Sequence, residues 1–458
     1  MKRVTPTESK RIFIRGLLRF LKSIQRKKNK NKSKQGLYIG DIQTPIKSQV
    51  GVFIEKIAKI RKYDSSVLNR SNDKVYIPRG FDMFSNPEKT LLFVHAITRL
   101  VLRGKRKSIT LDYKKNRTHC LGAECLLGVA LTEARQHNIY LNNTIVQING
   151  TYPKDSQHLE IIRDIGLVNE ISVSTPGSVR DSTAVNANDN PKKRIFKAES
   201  IGKENASAYA HDKKNITAER FTSYINDCLK DHNLKLVESA AKHLKSCMAE
   251  LLDNAERHCG IEQRSWWYLR GFVNNSLRSP NCEIVVFNFG KTISETFQGL
   301  PEDHFSYSQQ VLPYVEKHID KAGMFEEGLT TVAALQGRVS CKNQEESDSS
   351  GTGTIELLKL FQDMHDNIKN MSGDVKGRIQ MSLISGAVHI NFDGSYKLRK
   401  RFVNGEESDI FTYPFNNDDL GLEKAPDKNH LKKMKDANFP GVMINIRFPL
   451  PENAVQRA

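Results

Sequence analysis

Apolar positions along this chain alternate between two periods, and each switch marks an element boundary. From Lys74 onward, short apolar runs are interleaved with stretches of helical spacing. Val75–Ile77 reads as a strand, Pro87–Val101 as a helix with Leu91, Leu92, Val94, Ile97 and Leu100 on one face, and Ser108–Asp112 as a second strand. Leu121–Ala134 then predicts a helix, Thr144–Ile148 a strand, Ser156–Ile165 a helix and Glu170–Val173 a further strand. This alternation predicts an α/β layer with right-handed crossovers over residues 73–175. Residues 176–217 are polar and read as a linker holding one short strand at Arg194–Lys197.

The second half has a different rhythm. A helix from Ala218 to Lys230 is broken by Asp231-His232-Asn233, and another runs from about Leu236 to His258. Glu283–Ile293 is an apolar strand ending in a turn, and a helix carries Ile355, Leu357, Leu358, Leu360 and Phe361. Met381–Ser385 and Ala387–Phe392 predict a hairpin, and Val442–Phe448 a strand that closes the sheet. The polar stretch from Asn404 to Asn438 reads as an insertion, and residues 451–458 as a tail. Trp266 and Trp267 lead into a strand and are expected in the core or an interface, a binding platform being the alternative.

Composition adds two constraints. With 38% hydrophobic residues and no run near the 18 needed for a membrane span, the chain is expected to be soluble. Its seven cysteines are odd in number and scattered, which suits free thiols in a reducing cytoplasm. His119, Cys120 and Cys125 are neighbours, but no second ligand pair follows at zinc spacing. Of the net charge of +18, +12 lies in residues 1–35. There Arg15, Arg19, Lys22 and Arg26 share one helical face, and Phe13, Leu17, Phe20, Leu21 and Ile24 another. Such a leader over residues 10–28 can lie on an anionic membrane surface, bind nucleic acid or remain a solvated tail. Residues 36–72, with Val52, Ile54, Ile57 and Ile60 periodic, read as a connector.

Candidate chemistry gathers at the end of the Leu236–His258 helix. Glu250 and Asn254 are four apart and so stack on one face. A carboxamide oxygen suits Mg²⁺, and a carboxylate one turn away can take a proton from water. The alternative is an amphipathic helix with a solvated polar face. His258, one turn further, either lines the same mouth or simply ends the helix. Asp253 points about 100° away from Asn254. Downstream, Gly351-Thr352-Gly353 runs into a helix start, where backbone N–H groups can approach a phosphate. No nucleophile elbow, Walker-type lysine loop or paired catalytic Cys/His signature is present.

A Glu-x-x-x-Asn helix, a Gly-containing turn after a strand and a second glycine pair, in that order, resemble the GHKL ATPases (gyrase, heat-shock chaperone, histidine kinase, MutL) over residues 218–450. The resemblance implies an α/β sandwich, a mixed sheet with helices on one face, binding ATP and Mg²⁺. It implies Asn254 as the Mg²⁺ ligand and Glu250 as general base. Asn288 stands where the family has the adenine-reading Asp. Gly290 and Thr292 fall at its two glycines, Gly351, Thr352 and Gly353 at the second glycine box, and His258 near the phosphates. Residues from Leu300 to Ser350 fall at the ATP lid. Residues 73–175 look like a STAS domain through Ile109–Asp112 and Leu121-Gly122-Ala123. There the residues before Gly122 are His119, Cys120 and Leu121 in place of a phosphoacceptor Ser, which implies a docking or regulatory role. The fold class expected is therefore α/β plus α+β. The function expected is an ATP-hydrolysing or ATP-gated switch acting on a protein partner or dimer interface. An anti-sigma-type protein kinase and a non-catalytic nucleotide-binding adaptor are the alternatives.

Overall fold

Among the described residues the two larger of three β-sheets stack, one covering a face of the other through a layer of helices. The computed structural model describes residues 70–71, 74–102, 107–142, 145–173, 192–200, 213–258, 267–277, 279–348, 350–351, 353–370, 379–403, 406–418 and 421–451. The basic leader, nearly all of the 36–72 connector, Trp266 and the tail after Pro451 lie outside the described residues. No helix among the described residues is long and apolar enough to cross a membrane.

The first sheet contains β1 (Arg70–Ser71), β2 (Lys74–Tyr76), β3 (Ser108–Asp112) and β4 (Gln147–Thr151), in that spatial order. β2, β3 and β4 are parallel and β1 is antiparallel to β2. Its helices are α1 (Pro87–Leu102), α2 (Leu121–Asn142), α3 (Ser156–Asp164) and α4 (Leu167–Val173). The strand expected at Glu170–Val173 is thus part of a helix: Gly166 accepts the chain reversal after α3, and its carbonyl accepts the Glu170 N–H, starting a new helical turn. The strand expected at Thr144–Ile148 lies three residues later, at Gln147–Thr151.

The second sheet has seven strands in the order β12-β9-β8-β13-β7-β6-β5. These are β5 (Lys193–Glu199), β6 (Trp267–Asn274), β7 (Asn281–Phe289), β8 (Gln380–Gly386), β9 (Val388–Phe392), β12 (Leu431–Lys433) and β13 (Phe439–Pro449). A separate hairpin pairs β10 (Arg399–Val403) with β11 (Glu406–Thr412). Three expectations are corrected here. Every pairing in the seven-stranded sheet is antiparallel, so it is not mixed. β13 does not close the sheet at an edge but lies between β7 and β8. The strand inside the expected linker is a full edge strand, and the expected insertion supplies the strand at the other edge.

Helices also cover both faces of that sheet, not one. On one face lie α5 (Lys213–Lys230), α6 (Glu238–His258) and α10 (Gly353–Asn370), numbered after the short helices α7 (Ile293–Gln298), α8 (Leu312–His318) and α9 (Glu326–Ala334). The other face meets α2 and its neighbours in a single core containing Leu121, Leu126, Tyr268, Phe272, Val285, Phe287 and Met443. This explains why β6 and β7 read as nearly continuous apolar runs: both sets of alternating side chains are buried. It also explains α2, whose residues 121–134 are all buried.

Two buried charged groups join these layers. Arg270 on β6 is fully buried and donates to Glu170 of α4 at 3.0 Å and to Glu199 of β5 at 2.7 Å. Burial opposes its charge, but the two carboxylates outweigh that and raise its pKa above the usual arginine value. Glu283 on β7 accepts the Leu121 N–H at 2.8 Å, capping the start of α2, and pairs with Arg447 of β13 at 3.1 Å. We expect Arg270→Ala to leave Glu199 without its buried cation and Glu170 with Lys197 alone at 2.9 Å, and to lower stability by about 3 kcal/mol. Urea denaturation checks this, and an unchanged midpoint would mean that the pair adds nothing to the joined layers.

Candidate functional site

The polar residues singled out in the sequence converge above one face of the seven-stranded sheet. Period-2 alternation sends Val285, Phe287 and Phe289 of β7 toward α2 and leaves Val286 and Asn288 on the α6 side. Asn288 lies opposite Val442, and Val286 opposite Ile444, on the central strand β13. With Leu383 of β8 these residues form the floor of a pocket of about 280 Å³. Its walls are the last turns of α6, the start of α10 and the loop Val339–Lys342.

Glu250, Asn254 and His258 all line this pocket, as their i, i+4, i+8 spacing on α6 requires. Gly351 and Gly353 line it from the opposite wall. Glu250 reaches across: its Oε1 accepts the Gly353 N–H at 2.9 Å, satisfying a free donor at the start of α10. A Cβ on Gly353 would lie 2.1 Å from the Glu250 Cδ, so only glycine allows this approach. Gly351 has φ +98° and would meet the Val339 carbonyl at 2.4 Å. The Asn254 carboxamide makes no hydrogen bond among the described residues and is free to serve as an oxygen donor in the pocket.

Asn288 is the one polar group of the floor. It is 4% exposed, and its Nδ2 has no hydrogen-bond partner among the described residues. A buried amide N–H without a partner is costly unless a ligand or water meets it.

Other expected site residues are placed elsewhere. Thr292 does not line the pocket: its Oγ1 accepts the Glu295 N–H, and its own N–H donates to the Glu295 carboxylate, a capping box at the start of α7. Gly290 is also outside the lining, and its N–H donates to the Pro440 carbonyl. Thr352 lies outside the described residues. Asp253 is turned away, as expected, toward Lys214 at 2.5 Å and Arg257. The segment read as a lid contains α8, α9 and a loop tied down by Ser306 Oγ, which donates to the Ser340 carbonyl at 2.6 Å. Cys120 and Cys125 are buried thiols, and no group of metal-binding side chains is found among the described residues.

Three cations missed in the sequence also line the pocket: Arg257, Lys291 and Lys342. Burial, together with these three charges, lowers the pKa of His258 below the usual histidine value. Burial and Arg257 do the same to Lys342. Three cations around one pocket give a positive potential suited to phosphate. Arg257 was legible, being three residues from Asn254 on the same helix; Lys342 comes from another element and had no local signal. Glu250 is the carboxylate among the lining residues.

Comparison of the chain with protein-family models, with curated proteins and with solved structures gave no match. Replacing Asn288 with Leu, of similar shape, should raise stability by on the order of 1 kcal/mol by removing a buried unsatisfied amide. Thermal unfolding of the two proteins measures this, and a lower transition temperature in the variant would mean that the carboxamide is satisfied in the folded protein.

Proposed function

We propose that the chain is a Mg-nucleotide-binding protein of the GHKL type, an ATP-hydrolysing or ATP-gated switch acting on a protein partner or dimer interface. The observation that carries this reading is the convergence of Glu250, Asn254, Asn288 and Gly353 in one pocket bordered by Arg257, Lys291 and Lys342. The apolar floor suits a base and the cations suit phosphates. In this reading the Asn288 carboxamide meets the edge of the adenine ring, its Oδ1 accepting from the amino group.

The donor set also fits Mg²⁺. An unpartnered carboxamide oxygen from Asn254 is a hard ligand, and Mg²⁺ at phosphates needs few protein ligands. Bound there, the ion would neutralise charge across the phosphates. Glu250 would be the group that takes the proton of an attacking water. Its present contact gives it a second part: a phosphate at the Gly353 N–H would compete with the carboxylate and release it toward the water.

A nucleotide-binding adaptor without turnover is the second reading, favoured by the same contact, because a carboxylate bonded to Gly353 is not free to act as a base. The two separate by substitution. Asn254→Ala should abolish Mg-dependent ATP binding and leave the fold intact; calorimetry showing unchanged affinity would remove Asn254 from the site. Glu250→Ala should keep or raise ATP affinity while turnover falls roughly 10²–10⁴-fold. Phosphate release at the wild-type rate would exclude Glu250 as base, and a wild type that binds ATP without turnover would leave the adaptor.

A further inference from the structure

A second basic surface, built from other residues than those of the candidate site, lies at the carboxyl edge of the four-stranded sheet. β2 and β3 run parallel and end in two adjacent loops. Hydrogen bonds hold the loops together: Asn116 Nδ2 donates to the Pro78 carbonyl at 2.8 Å, and the Arg117 N–H and Thr118 hydroxyl both donate to the Arg79 carbonyl at 3.2 Å. Between them is a concavity of about 450 Å³ lined, among the described residues, by Arg79, Lys114, Lys115 and Arg117. All four are exposed.

No ion pair to a described residue neutralises any of them. Asp112, beside them in sequence, is 2% exposed, and its Oδ1 accepts the Lys114 N–H, so its carboxylate is turned inward. Four like charges around one hollow make a local positive potential that attracts an anionic partner. Aromatic rings border the cations: Lys115 Nζ lies 4.6 Å over the Tyr76 ring, and at the end of β4 Tyr152 is 42% exposed with Arg163 over its ring.

We propose that this edge is a nucleic-acid-binding surface, the four cations contacting the phosphate backbone and Tyr152 offering a ring to a base. The carboxyl ends of parallel strands are where α/β sheets take their ligands. A row of exposed flexible cations with an aromatic at the rim fits a single strand, whose backbone charges are regular and whose bases stack. A membrane surface is the poorer fit. Among the described residues Tyr152 is the one large exposed hydrophobic side chain at this edge, since Ile145 lies before β4 and Ile216, Val237 and Ile319 lie on other elements, so no described aliphatic side chain there is placed to enter a bilayer. The proposal does not depend on the nucleotide reading.

The test uses the full chain and a fluorescent single-stranded oligonucleotide, titrated at several salt concentrations. Arg79→Ala with Lys115→Ala and Arg117→Ala removes three charges from the hollow. Lys242→Ala with Lys321→Ala and Lys424→Ala removes three exposed charges elsewhere. Unchanged circular dichroism and thermal transitions qualify both variants. With about 0.7 of a unit of salt slope per phosphate contact, the first variant should flatten the log–log slope by about 2 and bind at least about tenfold more weakly at moderate salt. The second should match the wild type. An unchanged first variant would assign binding to the leader, and equal losses in both would reduce it to net charge. A wild type that ignores the oligonucleotide, or binds only phosphatidylserine vesicles through these residues, would also overturn the proposal.

Discussion

Burying both faces of an antiparallel sheet is the constraint on which the rest of this structure depends. A sheet covered on one side can turn polar side chains to water from its other side, but β6 and β7 cannot. Any charge they carry must find its partner in a neighbouring layer. Arg270 finds Glu170 and Glu199, and Glu283 finds Arg447 and the first N–H of α2. The cost of burying these ions is offset only when the helical layer sits in one register against the sheet. The two layers therefore do not behave as separable domains, and Lys47–Ala458 forms one compact unit. Gly122 belongs to the same fit, since any Cβ there would overlap the Asn445 side chain.

The same alternation creates the candidate site. Of the side chains that β7 directs toward α6, Ile284 and Val286 are apolar and Asn288 is not. A single polar position at the end of an apolar row, at the point where the strand leaves the sheet, gives the pocket a hydrogen-bonding group on a rigid floor. Rigid strands place the floor, a helix places Glu250 and Asn254, and loops supply Lys291 and Lys342. The division is physical: groups that need fixed geometry sit on regular elements, and charges that act over distance can sit on loops.

Much of this was legible because period is a local property. The α6 face was readable from spacing alone, and the start of α10 from Gly353 beside an apolar helical pattern. Ser108–Asp112 matched to the residue because a short β-branched run between polar stretches has few alternatives. The misses came from what local pattern does not encode. Glu170–Val173 has strand-like composition, but its place is set by Glu170 reaching Arg270, a hundred residues away. The sheet was expected to carry helices on one face, although the continuous apolar run of Ile284–Phe287 already argued for two. Thr292 was taken as a glycine-like turn position, yet Thr followed three residues later by Glu is a capping box, a signal present in the sequence.

The contact between Glu250 and Gly353 joins fold and chemistry most closely. The start of α10 presents free N–H groups and the positive end of a helix dipole, and it lies in a pocket already holding Arg257, Lys291 and Lys342. Such a place is unfavourable without an anion, and Glu250 supplies one from within the protein. The absence of a side chain at residue 353 is what lets the carboxylate approach, so the glycine is required by a neighbour's reach and not by its own backbone angle. An anion held by one backbone hydrogen bond among the described residues, beside cationic side chains, is exchangeable for another anion of higher charge. A phosphate has both the charge and the geometry to make that exchange, which is why the arrangement reads as a binding site and not only as a capped helix.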